Sequence, residues 1–351
     1  MAGQGYNVPQ SRNLIRAAQG MLEHAQPIIV LGDFGEQKEM PENATDTLVF
    51  RRVLPFGALV APSGINNSQY SGTPNVVANN FVLSEGVTPN SNTVSFQDVS
   101  VTLQNFGLLY KFSSKVENIY EDNIPGEMTK LIGETMAEVL ELVRYGALRA
   151  GTSVVYANGS SRTAVNSVIS LNKLRMAVRV LESNRARRIT QRIAPGVDFG
   201  VKAVQPSFLV FCHTDGMGDA RNLPNFTKVE EYGNFKPVHE REFGACEDFR
   251  FISSPLLVPF LGAGSVTLNG SVSIGGAAVD VYPYLIIGES AWGQVALKGQ
   301  NAISPTMISS KTVNHANPLA MFGYVGASTW FSSVRLNEAF MSRIECGVSS
   351  L

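Results

Sequence analysis

The clearest pattern in the chain is helical. Over residues 126–150 the apolar positions Met128, Leu131, Ile132, Met136, Val139, Leu140, Val143 and Ala147 recur at i, i+3, i+4 spacing, which predicts one long amphipathic helix. Pro125 at its entry, Glu127 in the first turn and Arg149 near the end agree with the helix dipole. A second helix is predicted over residues 166–189, with Leu171, Leu174, Val178 and Leu181 on one face. Elsewhere the rhythm is that of strands. Residues 47–61 (TLVFRRVLPFGALVA) read as a strand interrupted near Pro55, because proline removes a ladder donor. Residues 92–107 alternate in two phases, Val94 and Phe96 on even positions and Val99, Val101 and Leu103 on odd ones, which predicts a bulge at Gln97–Asp98. From residue 205 onward short apolar runs (SFLVFC, FRFISS, SVTLNGSVSI, AVDVYPYLIIG) alternate with Gly and Pro turns. No repeat of fixed period is present, and the sum is an α+β chain.

Two segments lack a core pattern of their own. Residues 1–46 hold a short apolar-periodic stretch, 14–25, and then a connector, GDFGEQKEMPENATD, read as an extended arm. The strands of residues 47–61 and 92–107 flank a polar loop rich in Asn, Ser and Gly, so the whole reads as a long hairpin-like protrusion. A two-stranded ribbon of that length buries too little to be stable alone, and it requires a neighbour to lie on.

Composition narrows the functional classes. The chain has 351 residues, 44% hydrophobic and only 16% charged, with a formal net charge of −1. That is ample for a core and too neutral to draw the whole molecule onto nucleic acid through phosphate neutralisation. Neither a secretory leader nor an apolar run of membrane-spanning length is present, so a soluble cytoplasmic protein with no membrane partner is expected. Three widely spaced cysteines, Cys212, Cys246 and Cys346, read as reduced thiols.

The search for chemistry yields no catalytic motif, and neither a cofactor nor a metal is expected. Cys212, His213 and Asp215 are the densest cluster, but neighbours on a strand point to opposite faces, and the cluster reads as strand-end residues before a turn. Among the carboxylates Glu117, Glu121, Asp122, Glu134, Glu138 and Glu141, the last three share one helix face and read as a solvated or partner-facing stripe. Arg51 and Arg52 alternate on the first strand of the protrusion. They are candidates to pair with a neighbour's Glu127, Glu134 or Glu138, or else are solvated strand-face charges. Arg185, Arg187, Arg188 and Arg192 close the second predicted helix. They complement its dipole and pair with acids of a neighbouring chain, or make a local contact with nucleic acid.

The order of these elements resembles the Hong Kong 97 fold of tailed-bacteriophage coat proteins. Four stretches are similar to the coat protein family named after phage N-four: LVFRRVLPF (48–56), LSEGVTP (83–89), LVRYGALRAGTSVVYANG (142–159) and PLAMFGYVGASTWFSSVRLNEAFMSRIECGVS (318–349). The resemblance spans nearly the whole chain. It implies an N-terminal arm over 1–46, an extended E-loop hairpin over 47–115 and a peripheral domain with a long spine helix over 116–164. A mixed β-rich axial domain over 165–317 and C-terminal strands over 318–351 complete the division. The Asn-rich stretch 63–80 is longer than the family pattern requires.

A major capsid protein is thereby implied, one that is not an enzyme and assembles with copies of itself in pentamers and hexamers to enclose double-stranded DNA. Scaffolding, portal and decoration proteins are the further partners, DNA contact is weak and non-specific, and assembly takes place in the host cytoplasm. The alternatives are an encapsulin-like compartment holding cargo enzymes, and a soluble enzyme or binding domain. Some shells of this fold are welded by an isopeptide from an E-loop lysine, yet residues 53–110 contain neither Lys nor Arg, so a non-covalent shell is expected.

Overall fold

The computed structural model describes residues 21, 25, 28–41, 45–54, 78–89, 91–94, 96–119, 124–194, 200–232, 237–276, 278–297, 303–313, 315 and 317–350. A 3-10 turn, Leu31–Asp33, leads into strand β1 (Glu36–Met40). Strands β2 (Thr47–Val53), β3 (Phe96–Thr102) and β4 (Gln104–Ser113) follow, then helices α1 (Ser114–Ile119) and α2 (Ile124–Arg149). Beyond them come β5 (Val154–Tyr156), α3 (Leu171–Ser183), β6 (Ile189–Ala194), β7 (Gly200–Cys212), the short α4 (Met217–Arg221), β8 (Phe226–Lys228), β9 (Glu242–Cys246) and β10 (Phe249–Ser253). The last strands are β11 (Tyr282–Ile287), β12 (Trp292–Leu297), β13 (Ile303–Ile308), β14 (Phe322–Arg335) and β15 (Met341–Cys346).

These strands form three sheets. The largest has the order β5-β15-β11-β7-β10-β9-β8, with β6 also on β7. A second runs β1-β12-β14-β13, with β4 along the other edge of β14, and β2 and β3 make a separate antiparallel ribbon. Strand β11 is buried at all six positions, and the apolar run of β7 sends alternate side chains to opposite faces. Phe208, Val210 and Cys212 meet Leu174, Ala177 and Leu181 of α3, while Leu209 and Phe211 share a cluster with Val30, Leu31, Tyr145 and Leu148. A strand covered on both sides has no need of polar alternation, which is why these runs read as continuously apolar.

The arm connector is therefore part of the fold. Val30, Leu31 and Met40 are buried, and β1 pairs in parallel with β12 from Glu36↔Gly293 to Met40↔Leu297. Gly35 lies so close to the Trp292 ring that a Cβ there would stand 2.8 Å from it. The sequence reading missed this docking because the partners lie more than a hundred residues away and the segment carries few apolar positions of its own. Met21 also packs in a cluster with Ile132, Phe112 and Val325, and its backbone occupies the space a side chain at Gly133 would need. A glycine inside a helix costs about 1 kcal/mol relative to alanine, and here it permits the crossing.

Three further expectations need correction. The bulge at Gln97–Asp98 is absent: β2 and β3 stay in register from Thr47↔Thr102 to Val53↔Phe96, and Gln97, Val99 and Val101 all point inward. The second helix is shorter than residues 166–189. It ends at Asn184 with Arg185 at φ 56, where the Ala186 N–H donates to the Leu181 carbonyl and the Arg185 N–H to that of Glu182, both at 2.9 Å. That is a Schellman closure, so the basic run begins just beyond the helix, not within its last turn. The long helix, α2, is rotated from its apolar stripe: Gly133, Ala137, Glu141, Arg144 and Leu148 face inward, and Leu131 is exposed.

Candidate assembly surfaces

At the base of the protrusion, Phe50 on β2 and Val99 and Val101 on β3 pack with Met40, Val295 and Leu336, tying the ribbon to the second sheet. The opposite face carries Arg51, which stands directly across from Asp98. Its Nε and Nη2 donate to the two carboxylate oxygens at 2.7 and 2.8 Å, and this pairing holds Asp98 below its usual pKa. Arg52 points to the other side and donates from Nε to the Gln97 side-chain oxygen at 2.8 Å. Partial burial lowers the pKa of Arg52. Among the described residues further along the protrusion, the apolar side chains of Phe81, Val82, Leu83, Val87, Val94 and Phe96 are exposed.

Two groups picked out separately in the sequence meet here. Arg51, Arg52, Arg185 and Arg187, with Lys38 of β1, line one groove of about 530 Å³ together with Glu36 and Glu289. The other two members of the basic run are elsewhere. Arg188 is engaged with Glu182 at 2.9 Å and Asp248 at 2.8 Å, and Arg192 lies opposite Lys202 in the β6–β7 pair, its side chain outside the described residues.

On α2, Glu127 pairs with Lys130 at 2.9 Å, Glu134 is half-buried and Glu138 is exposed, so these carboxylates line the outer side and none borders the groove. Glu141 corrects the expectation of a solvated stripe. It is buried, and its carboxylate accepts from the Leu31 and Gly32 N–H groups at 2.9 and 3.1 Å and from Arg144 Nη1 at 2.9 Å. Arg144 Nε donates to the Gln294 side-chain oxygen at 2.8 Å, and Gln294 Nε2 donates to the Gly32 carbonyl at 2.7 Å. The Arg144 guanidinium also lies 4.7 Å from the Phe331 ring. Helix, arm turn and second sheet are thus joined through one closed polar network, whose first N–H groups would otherwise be orphaned at the start of the turn. The one local clue was the Glu141/Arg144 i, i+3 pair following the small residues Gly133 and Ala137.

The remaining candidates are structural. His213 Nδ1 accepts from the Asp215 N–H at 3.2 Å as a turn cap, and Tyr282 donates to Asp215 at 2.9 Å. Cys212, Cys246 and Cys346 are free and buried, and burial pushes their thiol pKa values up. Among the described residues no three of His, Cys, Asp and Glu converge as a metal set, and no helix is long and apolar enough to cross a membrane. Glu117 accepts a hydrogen bond from Ser310, while Glu121, Asp122 and the tip from residue 55 to 77 lie outside the described residues. Lys111 stands at the base of the protrusion, 3.8 Å from the Phe322 ring.

The structure thus joins a two-stranded ribbon, packed at its base on the second sheet, to an α+β body. The family model for phage capsid proteins matches residues 98–305, and the chain belongs to that family. Its fold is the Hong Kong 97-like capsid fold, and its role is that of a major capsid protein that forms a shell in the virion. Among solved structures it is similar to the capsid of Ralstonia phage GP4, at 11% identity, covering 90% of this chain and 87% of that one with a TM-score of 0.59. It is also similar to the cyanophage Pam1 capsid, at 12% identity over 93% of both chains with a TM-score of 0.59. For the cyanophage P-SCSP1u capsid the identity is 10%, over 91% and 88% of the two chains, with a TM-score of 0.55. No curated protein matches the chain in sequence.

Proposed function

We propose that the chain assembles as pentamers and hexamers into an icosahedral shell around packaged double-stranded DNA, in the host cytoplasm, with separate scaffolding, portal and decoration proteins as partners. Its contribution is contact and not catalysis. The observation that carries this reading is the protrusion, where, among the described residues, Val82, Leu83, Val87, Val94 and Phe96 stand exposed next to a ribbon packed on the second sheet at its base. Such a segment gains its stabilising burial on an adjacent subunit, by the logic of strand addition. Rings and shells arise from heterologous contacts of this kind when the rotation closes.

In this reading residues 1–46 are the arm, 47–115 the E-loop, 116–164 the peripheral domain, 165–317 the axial domain, and 318–351 return to both large sheets. Arg51 and Arg52 face a neighbour's Glu127, Glu134 and Glu138. Asp98 occupies two of the five N–H donors of Arg51, which leaves donors for a second carboxylate. The groove that also holds Arg185 and Arg187 is a contact between subunits. DNA contact stays weak, because a net charge of −1 gives little counterion release. Negative-stain microscopy of the expressed protein tests the reading: closed shells, tubes or hexameric plates are expected, and a uniform small monomer overturns it. Nuclease-protected DNA in particles from infected cells is expected, and a protein cargo in its place would favour a compartment.

A further inference from the structure

The groove at the base of the protrusion has a cationic rim and an apolar floor. Lys38 on β1, Arg51 and Arg52 on β2, and Arg185 and Arg187 after α3 line it, against two acids, Glu36 and Glu289. Asp98 takes up Arg51, while the nearby Arg335 and Arg188 are engaged with Glu338 and with Glu182 and Asp248. Among the described residues, positive charge therefore stays in excess along the groove. Arg52 Nη1 is buried with no hydrogen-bond partner, and burial lowers the Arg52 pKa with no acid opposing it. The walls are fixed through the backbone. Arg185 is held at φ 56 by the Schellman closure of α3, and the Glu289 N–H donates to the Arg187 carbonyl at 2.9 Å. The Leu336 and Asn337 N–H groups both donate to the Ala291 carbonyl, at 2.9 and 3.0 Å, and the Lys38 ammonium is braced 4.2 Å from the Phe50 ring. Between the charges Phe50, Leu54, Val99, Leu336 and Phe340 supply the apolar lining.

A volume of about 530 Å³ has room for a few side chains. Rim and floor together select what enters. A surplus of fixed cations attracts carboxylates or phosphates, and an apolar lining rewards an uncharged side chain. Nucleic acid brings only the first, because a duplex meets a protein with its phosphates and offers no aliphatic side chain to such a floor. An acidic peptide brings both. Glutamates on a neighbour's α2 are able to reach the rim, but a helix about 10–12 Å across, packed on its own sheet, leaves the floor unfilled.

We infer that this groove docks a short acidic segment with a central aromatic or aliphatic side chain, supplied by a separate protein. The inference goes beyond the shell reading and does not depend on it. Its test uses unassembled subunits of the full chain and, as probe, a fluorescein-labelled peptide with glutamates on both sides of a central Phe-Leu pair. Fluorescence anisotropy is expected to show saturable binding that weakens at least about tenfold when glutamine replaces the glutamates, since the rim then meets no counter-charge. Arg187→Glu is expected to weaken binding of the acidic peptide to a similar degree, while Lys111→Glu, away from the groove, leaves it unchanged. The comparison of the two peptides on the native chain stands whether or not the Arg187 variant folds. No binding, or equal binding of the glutamine peptide, overturns the inference and leaves the shell reading intact. An equal loss in Lys111→Glu also overturns it, by reducing the effect to overall charge. Displacement of the peptide by a short duplex oligonucleotide at matched ionic strength assigns the groove to nucleic acid, and release of the peptide as subunits are concentrated, short of shell formation, assigns it to a second copy. Either result overturns the inference. Peptide binding by a chain that forms no shells upholds it and removes the shell reading alone.

Discussion

Strand β11 and strand β2 are both rich in β-branched and aromatic residues, yet the first is buried at every position and the second mainly at Phe50. The difference lies in what covers them. The large sheet has α3 on one face and the arm turn with the end of α2 on the other, so its apolar side chains are covered within the subunit. The β2–β3 ribbon has one apolar face on the second sheet and an outer face that ends in exposed apolar residues. One chain thus carries a body covered on both faces and a ribbon with one covered face. The polar groups follow suit, Glu141 and Arg144 being sealed inside while Arg51 and Asp98 pair in solvent.

The largest expected effect tests what completes the body. Removing residues 1–40 deletes β1, Val30, Leu31 and two N–H groups bound by Glu141, and it should abolish cooperative thermal unfolding by circular dichroism. The sequence alone reads this segment as an extended arm without a core pattern of its own. A chain beginning at residue 21 should retain the transition, and a cooperative melt after the longer deletion would refute the coverage argument.

Next is Glu141→Gln, which leaves the Arg144 cation buried without its counter-charge. Breaking one partner of such a pair costs about 3–5 kcal/mol, read as a lowered urea midpoint with unchanged slope. Replacing Glu141 and Arg144 together by Leu and Met should cost less than the sum of the single changes, since the desolvation of both charges is relieved. Arg51→Ala sharpens the contrast from the other side. Exposed pairs contribute little, so the melting temperature of the isolated subunit should be unchanged within error while shell yield falls. The smallest effect is none at all: mature particles boiled in detergent should run as one band near 37.9 kDa, because Lys111 is the first lysine or arginine after Arg52 and lies only at the base. A ladder that survives reduction would refute a non-covalent shell.

Much of the fold was legible because it is written in local periodicity. The long helix was expected over 126–150 and lies at 124–149, and the strands at 47–53 and 96–102 pair as expected. The candidate surfaces were half legible. Arg51 and Arg52 stand out in the sequence by their place on the strand, but their meeting with Lys38, Arg185 and Arg187 joins residues far apart in the chain. Gln97 misled the register reading because a polar residue took an inward position, where its amide receives Arg52.

What the sequence by itself determined is therefore the kind of protein, the long helix, the doubly covered strands and a protrusion too thin to stand alone. These follow from side-chain periods of 3.6 and 2 and from residue types that act within a few positions. Tertiary structure alone decided which polar residues turn inward and where the arm docks. Glu141 shares its helix face with Glu134 and Glu138 in any local count, and it is buried because Leu31, Gly32 and Gln294 bring it hydrogen-bonding partners from 110, 109 and, through Arg144, 150 positions away. A carboxylate's preference for water is reversed only when such partners are assembled around it, and that assembly exists only in the folded chain.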